Sequence, residues 1–165
     1  MSRVFCFIRC SIIAVLLTSC AGQAPRVYTF DDLETFPAPF EAVWGVVQSM
    51  SESEKWRIED TQNNQGRAYI STDWMSDQKH GGDYGSKGIP LGKANNPLND
   101  NTQEVAISIR VVSESATSTR VKVTCLFRIQ TSKGVSGTGQ TMFGTSKGIV
   151  EEHILTTIRS RLATS

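Results

Sequence analysis

The stretch VAISIRVVSESATSTRVKVTCLFRI, Val105–Ile129, carries more architectural information than any other part of the chain. Val105, Ile107, Ile109 and Val111 alternate with Ala106, Ser108 and Arg110. After the polar run Ser113–Ser118, Val121, Val123, Cys125, Phe127 and Ile129 alternate with Lys122, Thr124, Leu126 and Arg128. Successive side chains of a strand point to opposite faces, so this period of two predicts two long antiparallel strands, each oily on one side. A one-sided sheet must bury that side against a second layer.

The second layer is written on either side of the pair. Phe40, Val43, Trp44, Val47 and Met50 recur at steps of three and four, predicting an amphipathic helix over Pro39–Glu54, with the proline in the first turn where its missing N–H costs nothing. Ile149, Val150, Ile154, Leu155, Ile158 and Leu162 predict a second helix over Lys147–Leu162. Between helix and long strands, Trp56–Asp60 alternates and Asn63–Gly66 turns. Arg67–Trp74 then reads as a return strand with Ala68, Ile70, Thr72 and Trp74 on one face. TFDDLETFPAP, Thr29–Pro39, is ambiguous, with room for a short strand before Pro37. From Ser76 to Thr102 the chain is polar, rich in Gly and Asn and without periodicity, a length of loop that points to a functional or mobile segment.

These elements predict an α+β fold: a two-layer sandwich with an antiparallel sheet of at least four strands and two helices on one face, in the order α-β-β-β-β-α. The other sheet face is expected to be polar, carrying Arg67, Tyr69, Ser71, Asp73, Lys122, Thr124 and Arg128. Tyr69 and Asp73, with Tyr84 in the long loop, are the candidate interaction surface.

The N-terminus reads differently. Arg3 and Arg9 precede the apolar run Ile12–Leu17, which is too short to span a bilayer, and small residues follow; this is the pattern of an export signal. Leu17-Thr18-Ser19-Cys20 resembles the lipobox of bacterial lipoproteins. That resemblance implies cleavage after residue 19, acylation of Cys20 and, with Ala21 next, sorting to the outer membrane facing the periplasm. At about 0.8 kcal/mol per buried methylene, two or three acyl chains anchor firmly where one holds only marginally. The expected organisation is a signal peptide over 1–19, a lipidated N-terminus and tether over 20–38, and a single domain over 39–165 with the loop at 76–102.

Loss of the leader takes two of the 17 basic residues and none of the 16 acidic ones, leaving 15 against 16. With charges scattered singly, no nucleic-acid partner is expected. Cys6 and Cys10 leave with the leader and Cys20 carries lipid, so Cys125 stands alone and stability must come from packing.

Phe36–Trp74 also resembles the repeated domain of BamC-type lipoproteins of the outer-membrane β-barrel assembly machinery. Trp44, Trp56-Arg57-Ile58-Glu59-Asp60, Gly66 and Trp74 match its landmarks. The resemblance implies a helix-grip fold, in which a curved antiparallel sheet clasps a C-terminal helix.

Candidate chemistry is thin. His80-Gly81-Gly82 has the look of an esterase oxyanion loop, but no G-x-S-x-G elbow accompanies it. Gly139–Ser146 has the glycine spacing of a phosphate loop, but Thr145 stands where the lysine is required; Thr145 or Ser146 is expected to cap the last helix instead. Cys125 falls on the apolar side of its strand, and His153 has no histidine partner one turn away, so no catalytic residue, metal or cofactor is expected. Asp31-Asp32 reads as exposed loop and Glu151-Glu152 as a helix N-terminus favoured by the dipole. Trp44, Trp56 and Trp74 are expected in the core, or else lining an apolar ligand cavity. The functional expectation is a non-enzymatic membrane-anchored lipoprotein acting as an interaction or accessory module of the cell envelope; the alternative is a periplasmic carrier of a lipid or other apolar ligand.

Overall fold

The structure, a computed structural model, describes residues 28–76, 102–130 and 141–164. Its order is β1 (Leu33–Phe36), α1 (Phe40–Ser53), β2 (Ile58–Asn64), β3 (Arg67–Thr72), β4 (Met75–Ser76), β5 (Thr102–Ser115), β6 (Ser118–Gln130), β7 (Thr141–Gly144) and α2 (Ile149–Leu162). All strand pairs are antiparallel, and the sheet runs β1-β6-β5-β3-β2, with β4 beside β5 and β7 beside β6. The α+β two-layer layout is as the sequence predicts. Three short strands accompany the four long ones: β1 falls where the sequence left room for a short strand before Pro37, and β4 and β7 are too short for a period to declare itself.

The β5–β6 hairpin is the spine. Its register pairs Val111 with Val121, Ile109 with Val123 and Ile107 with Cys125, which puts the odd-numbered side chains of both strands on one face. That face meets Val43, Trp44, Val47 and Met50 of α1 and Ile154, Leu155 and Ile158 of α2 in one contiguous core. At roughly 25 cal/mol per Å² of apolar surface removed from water, this layer supplies the main drive to fold.

Helix α1 stops where the sequence leaves the apolar stripe. Lys55 takes φ +56°, the Trp56 N–H donates to the Ser51 carbonyl at 2.9 Å and the Lys55 N–H donates to the Glu52 carbonyl at 3.1 Å. This is a Schellman ending with lysine at the left-handed position usually held by glycine. Trp56, the residue after it, folds back against the core instead of opening a strand. β2 therefore begins later than the alternation suggests. It runs through Asn63 and Asn64 as an exposed edge, and the turn is only Gln65-Gly66, with φ of +22° and +81°. Two central residues with positive φ match the twist of a tight hairpin, and Gly66 lies under Ser113, where a Cβ would sit 3.2 Å from that residue's Cβ.

Both long edges of the β5–β6 hairpin carry two short strands with a gap between them, and in each gap a side chain takes over a backbone hydrogen bond. On the β5 edge, β3 ends opposite Ser108 and β4 begins opposite Val105, and the Ile107 N–H donates to Thr72 Oγ1 at 3.0 Å. On the β6 edge, β1 ends at Lys122 and β7 begins at Phe127. There the Val123 N–H donates to the Asp32 carbonyl at 2.8 Å and the Cys125 N–H donates to Glu151 Oε1 at 3.2 Å.

Glu151 stands in the first turn of α2, as its position implies, but its carboxyl is buried. It is 1% exposed, and its other carboxyl oxygen accepts from Ser146 Oγ at 2.7 Å. Ser146 Oγ in turn accepts from the Gly148 N–H at 3.0 Å. The expected side-chain cap on α2 is absent: Gly148 occupies the cap position at φ +83°, and Ser146 acts through Glu151. A buried carboxyl is tolerated because it satisfies donors that the interrupted ladder would otherwise leave orphaned. Helix α2 is further tied to β1 by a two-pronged contact of Arg159 Nε and Nη2 with the Glu34 carboxylate, at 3.0 and 2.7 Å. Ile149, expected in its apolar stripe, is 47% exposed instead.

Candidate functional site, the outer face of the sheet

With both helices on the odd-numbered side, the even-numbered side chains of β5 and β6 form a face that no other element of the described residues covers. It is not uniformly polar. Leu126 is 56% exposed there, and Phe143 on β7, directly opposite Arg128, is 67% exposed.

Trp74 joins them through a break in register. Ser71 faces Ser108, but Met75 faces Val105, so three residues of one chain, Thr72, Asp73 and Trp74, lie opposite two of the other, Ala106 and Ile107. One extra residue is a bulge, and it flips the parity of every side chain beyond it. Thr72 points into the core, Met75 also packs against the core, and Trp74 is carried to the outer face. This corrects the expectation that Trp74 shares a face with Ala68, Ile70 and Thr72. The bulge is pinned locally. The Asp73 N–H donates to the Arg57 carbonyl at 2.8 Å, Asp73 Oδ1 accepts from the Trp74 N–H at 2.7 Å, and Arg57 both pairs with the Asp73 carboxylate at 3.4 Å and donates to the Trp74 carbonyl.

On the outer face, the Arg128 guanidinium lies 4.2 Å from the Trp74 ring centroid. Its Nε donates to Glu104 Oε2 at 2.6 Å across the β5–β6 pair. The Phe143 ring stands 6.1 Å from Trp74, tilted at 54°. Glu104 and Arg128 are mostly covered, with side-chain exposures of 16% and 22%. The cluster is therefore a packed stack whose apolar member Phe143 still faces solvent, as does Leu126, two residues before Arg128 on the same face. Tryptophan and arginine packed on one another beside exposed apolar groups are what the centres of protein interfaces are made of, because contacts already made reduce the side-chain entropy lost on binding.

The sequence-predicted residues distribute as follows. Tyr69 lies on this face toward the opposite end, its hydroxyl 3.4 Å from Ser108 Oγ. Asp73 braces the Trp74 bulge, and Tyr84 lies outside the described residues, as do Cys20, His80 and Gly139. Trp44 is a core residue at 3% exposure, Trp56 packs at the core margin, and only Trp74 reaches the outer face. Cys125 is buried and His153 is exposed on the far side of α2. Sequence reasoning missed Phe143 and Leu126: the first lies on a four-residue strand, and the second sits among polar residues whose alternation hides it. Among the described residues no helix is long and apolar enough to cross a membrane, and no three metal-ligating side chains gather. No protein-family model matches the chain, and neither does any of the curated proteins it was compared with.

Proposed function

We propose that this chain is a non-enzymatic lipoprotein of the bacterial envelope, anchored through acylated Cys20 to the outer membrane and facing the periplasm. On this reading its outer sheet face docks another envelope protein, and its resemblance to BamC-type domains points to outer-membrane assembly as the setting. The observation that carries the docking role is the exposed pair Phe143 and Leu126 beside the packed Trp74–Arg128–Glu104 stack. Large apolar side chains grouped on an uncovered face and framed by an ion pair mark interaction surfaces more often than they mark bare surface. The carrier alternative needs room between sheet and helices, where Phe36, Trp44, Met50 and Phe127 are all buried; their bulk favours docking over carriage.

The test is a photo-crosslinking side chain placed at Phe143 in membranes from cells making the full chain, with a second placed at the exposed Glu152 on the helix layer. A recurring neighbour captured from position 143 and not from 152, and lost when Leu126→Asp is added, supports the reading. Equal capture from both positions, or capture indifferent to Leu126→Asp, removes the sheet face from consideration.

A further inference from the structure

At the end of the outer face away from Trp74, the register assembles a group of cations that no stretch of the sequence contains. Arg67 on β3 and Arg120 on β6 both lie opposite Val112, so they flank it in one row. Arg110 is two residues along β5, between Tyr69 and Lys122. With strands about 4.8 Å apart, the stems of Arg67 and Arg120 are roughly 10 Å apart, and Arg110 makes the third corner of a triangle. Around them an open groove of about 880 Å³ is also lined by Gln62, Asn64 and Tyr69.

The charges in this groove are under-compensated. Glu114 pairs with Arg120 at 3.1 Å, and Asp60 at the margin accepts from Gln62 Nε2 at 3.1 Å. Arg110 lies over the Tyr69 ring, 5.8 Å from its centroid, and among the described residues no acid pairs with Arg67 or Arg110. Lys122, next in the row, is paired with Asp32 at 3.5 Å. Arg67 and Arg110, held on neighbouring strands with no acid of their own among the described residues, repel each other, and an anion received between them would relieve that repulsion.

We propose that this groove binds a phosphoryl group. A carboxylate offers two oxygens in a plane and satisfies one forked guanidinium well. A phosphoryl group offers three oxygens disposed around an axis, enough to engage the two guanidiniums without an acid among the described residues, Arg67 and Arg110, and to share Arg120 with Glu114. The Asn64 and Gln62 amides are placed to receive the remainder of the molecule bearing it. The group belongs to a phospholipid headgroup that ends in a phosphomonoester or to a soluble phosphate compound. The inference is independent of the docking role, because it uses the other end of the face.

The experiment titrates pyrophosphate calorimetrically into the full chain held in maltoside micelles. The wild type binds, and Arg67→Gln/Arg110→Gln weakens binding by at least about tenfold while leaving the melting temperature unchanged. Lys55→Gln/Lys147→Gln, of equal charge change outside the groove, leaves binding intact. Phosphatidic acid, whose headgroup is a phosphomonoester with three terminal oxygens, is doped into the micelles to distinguish the sources: competition with pyrophosphate assigns a headgroup, and its absence assigns a soluble phosphate. The proposal is overturned if wild type does not bind, if the two double variants weaken binding equally, or if a poly-glutamate peptide displaces pyrophosphate as effectively as pyrophosphate displaces itself.

Discussion

Replacing Glu151 by alanine tests the account of how the sheet closes. The carboxyl accepts one hydrogen bond from the Cys125 N–H and one from Ser146 Oγ, at 3.2 and 2.7 Å, in a site where Glu151 itself is 1% exposed. Alanine removes the carboxylate acceptor from both donors, and each buried hydrogen bond broken in this way costs about 1–3 kcal/mol. The Ser146 hydroxyl can rotate and recover part of its share, so the expected loss is about 2–5 kcal/mol. Glutamine keeps the shape and one acceptor but turns an NH₂ toward one of the donors, for an expected loss of about 1–2 kcal/mol. Alanine at the exposed neighbour Glu152 should change stability by no more than about 0.5 kcal/mol. The assay is urea unfolding followed by circular dichroism, comparing midpoints at constant slope. A cycle with Ser146→Ala should return a coupling of about 0.5–3 kcal/mol. If Glu151→Ala costs no more than Glu152→Ala, or the coupling is zero, the carboxyl is not bridging the ladder gap and the account of that edge is wrong.

Other expectations follow from single positions. Gly148→Ala should destabilise by about 2–4 kcal/mol, combining the cost of a Cβ at positive φ with overpacking against Phe30, whose Cγ would lie 2.3 Å from it. Adding Phe30→Ala should relieve only part of the overpacking, because the Cβ of residue 30 would still lie 2.5 Å from the new methyl, whereas Phe30→Gly should relieve all of it; thermal melts of the variants would reveal both. Lys55→Gly, at φ +56° after α1, should raise stability by about 0.5–1 kcal/mol; a lowered melting temperature would contradict the Schellman ending. Labelled palmitate should enter the wild-type product and not the Cys20→Ser variant, and equal incorporation in both would remove the anchoring proposal.

What could be read in the chain, and what could not, divides along one physical line. The alternation in Val105–Ile129 and the three-and-four spacing in Phe40–Met50 state which side of each element is apolar. Burial is the dominant energy, so those local patterns suffice for two helices on one face of an antiparallel sheet. Tyr69 was legible as an outward residue on the same grounds, since its strand keeps parity up to Thr72.

The face of Trp74 was not legible, because a bulge of one residue is decided by how Asp73 and Arg57 bond and by where β4 meets β5. Nor was the burial of Glu151, which depends on β1 and β7 leaving a gap beside Cys125. The arginine triangle belongs to the same class: Arg67, Arg110 and Arg120 are scattered singly along the chain and become neighbours only through pairing register. The sequence by itself determined the layers, since side-chain period is a local property of the backbone. Tertiary structure alone decided the surface chemistry, since register joins residues whose separation along the chain carries no trace of their contact.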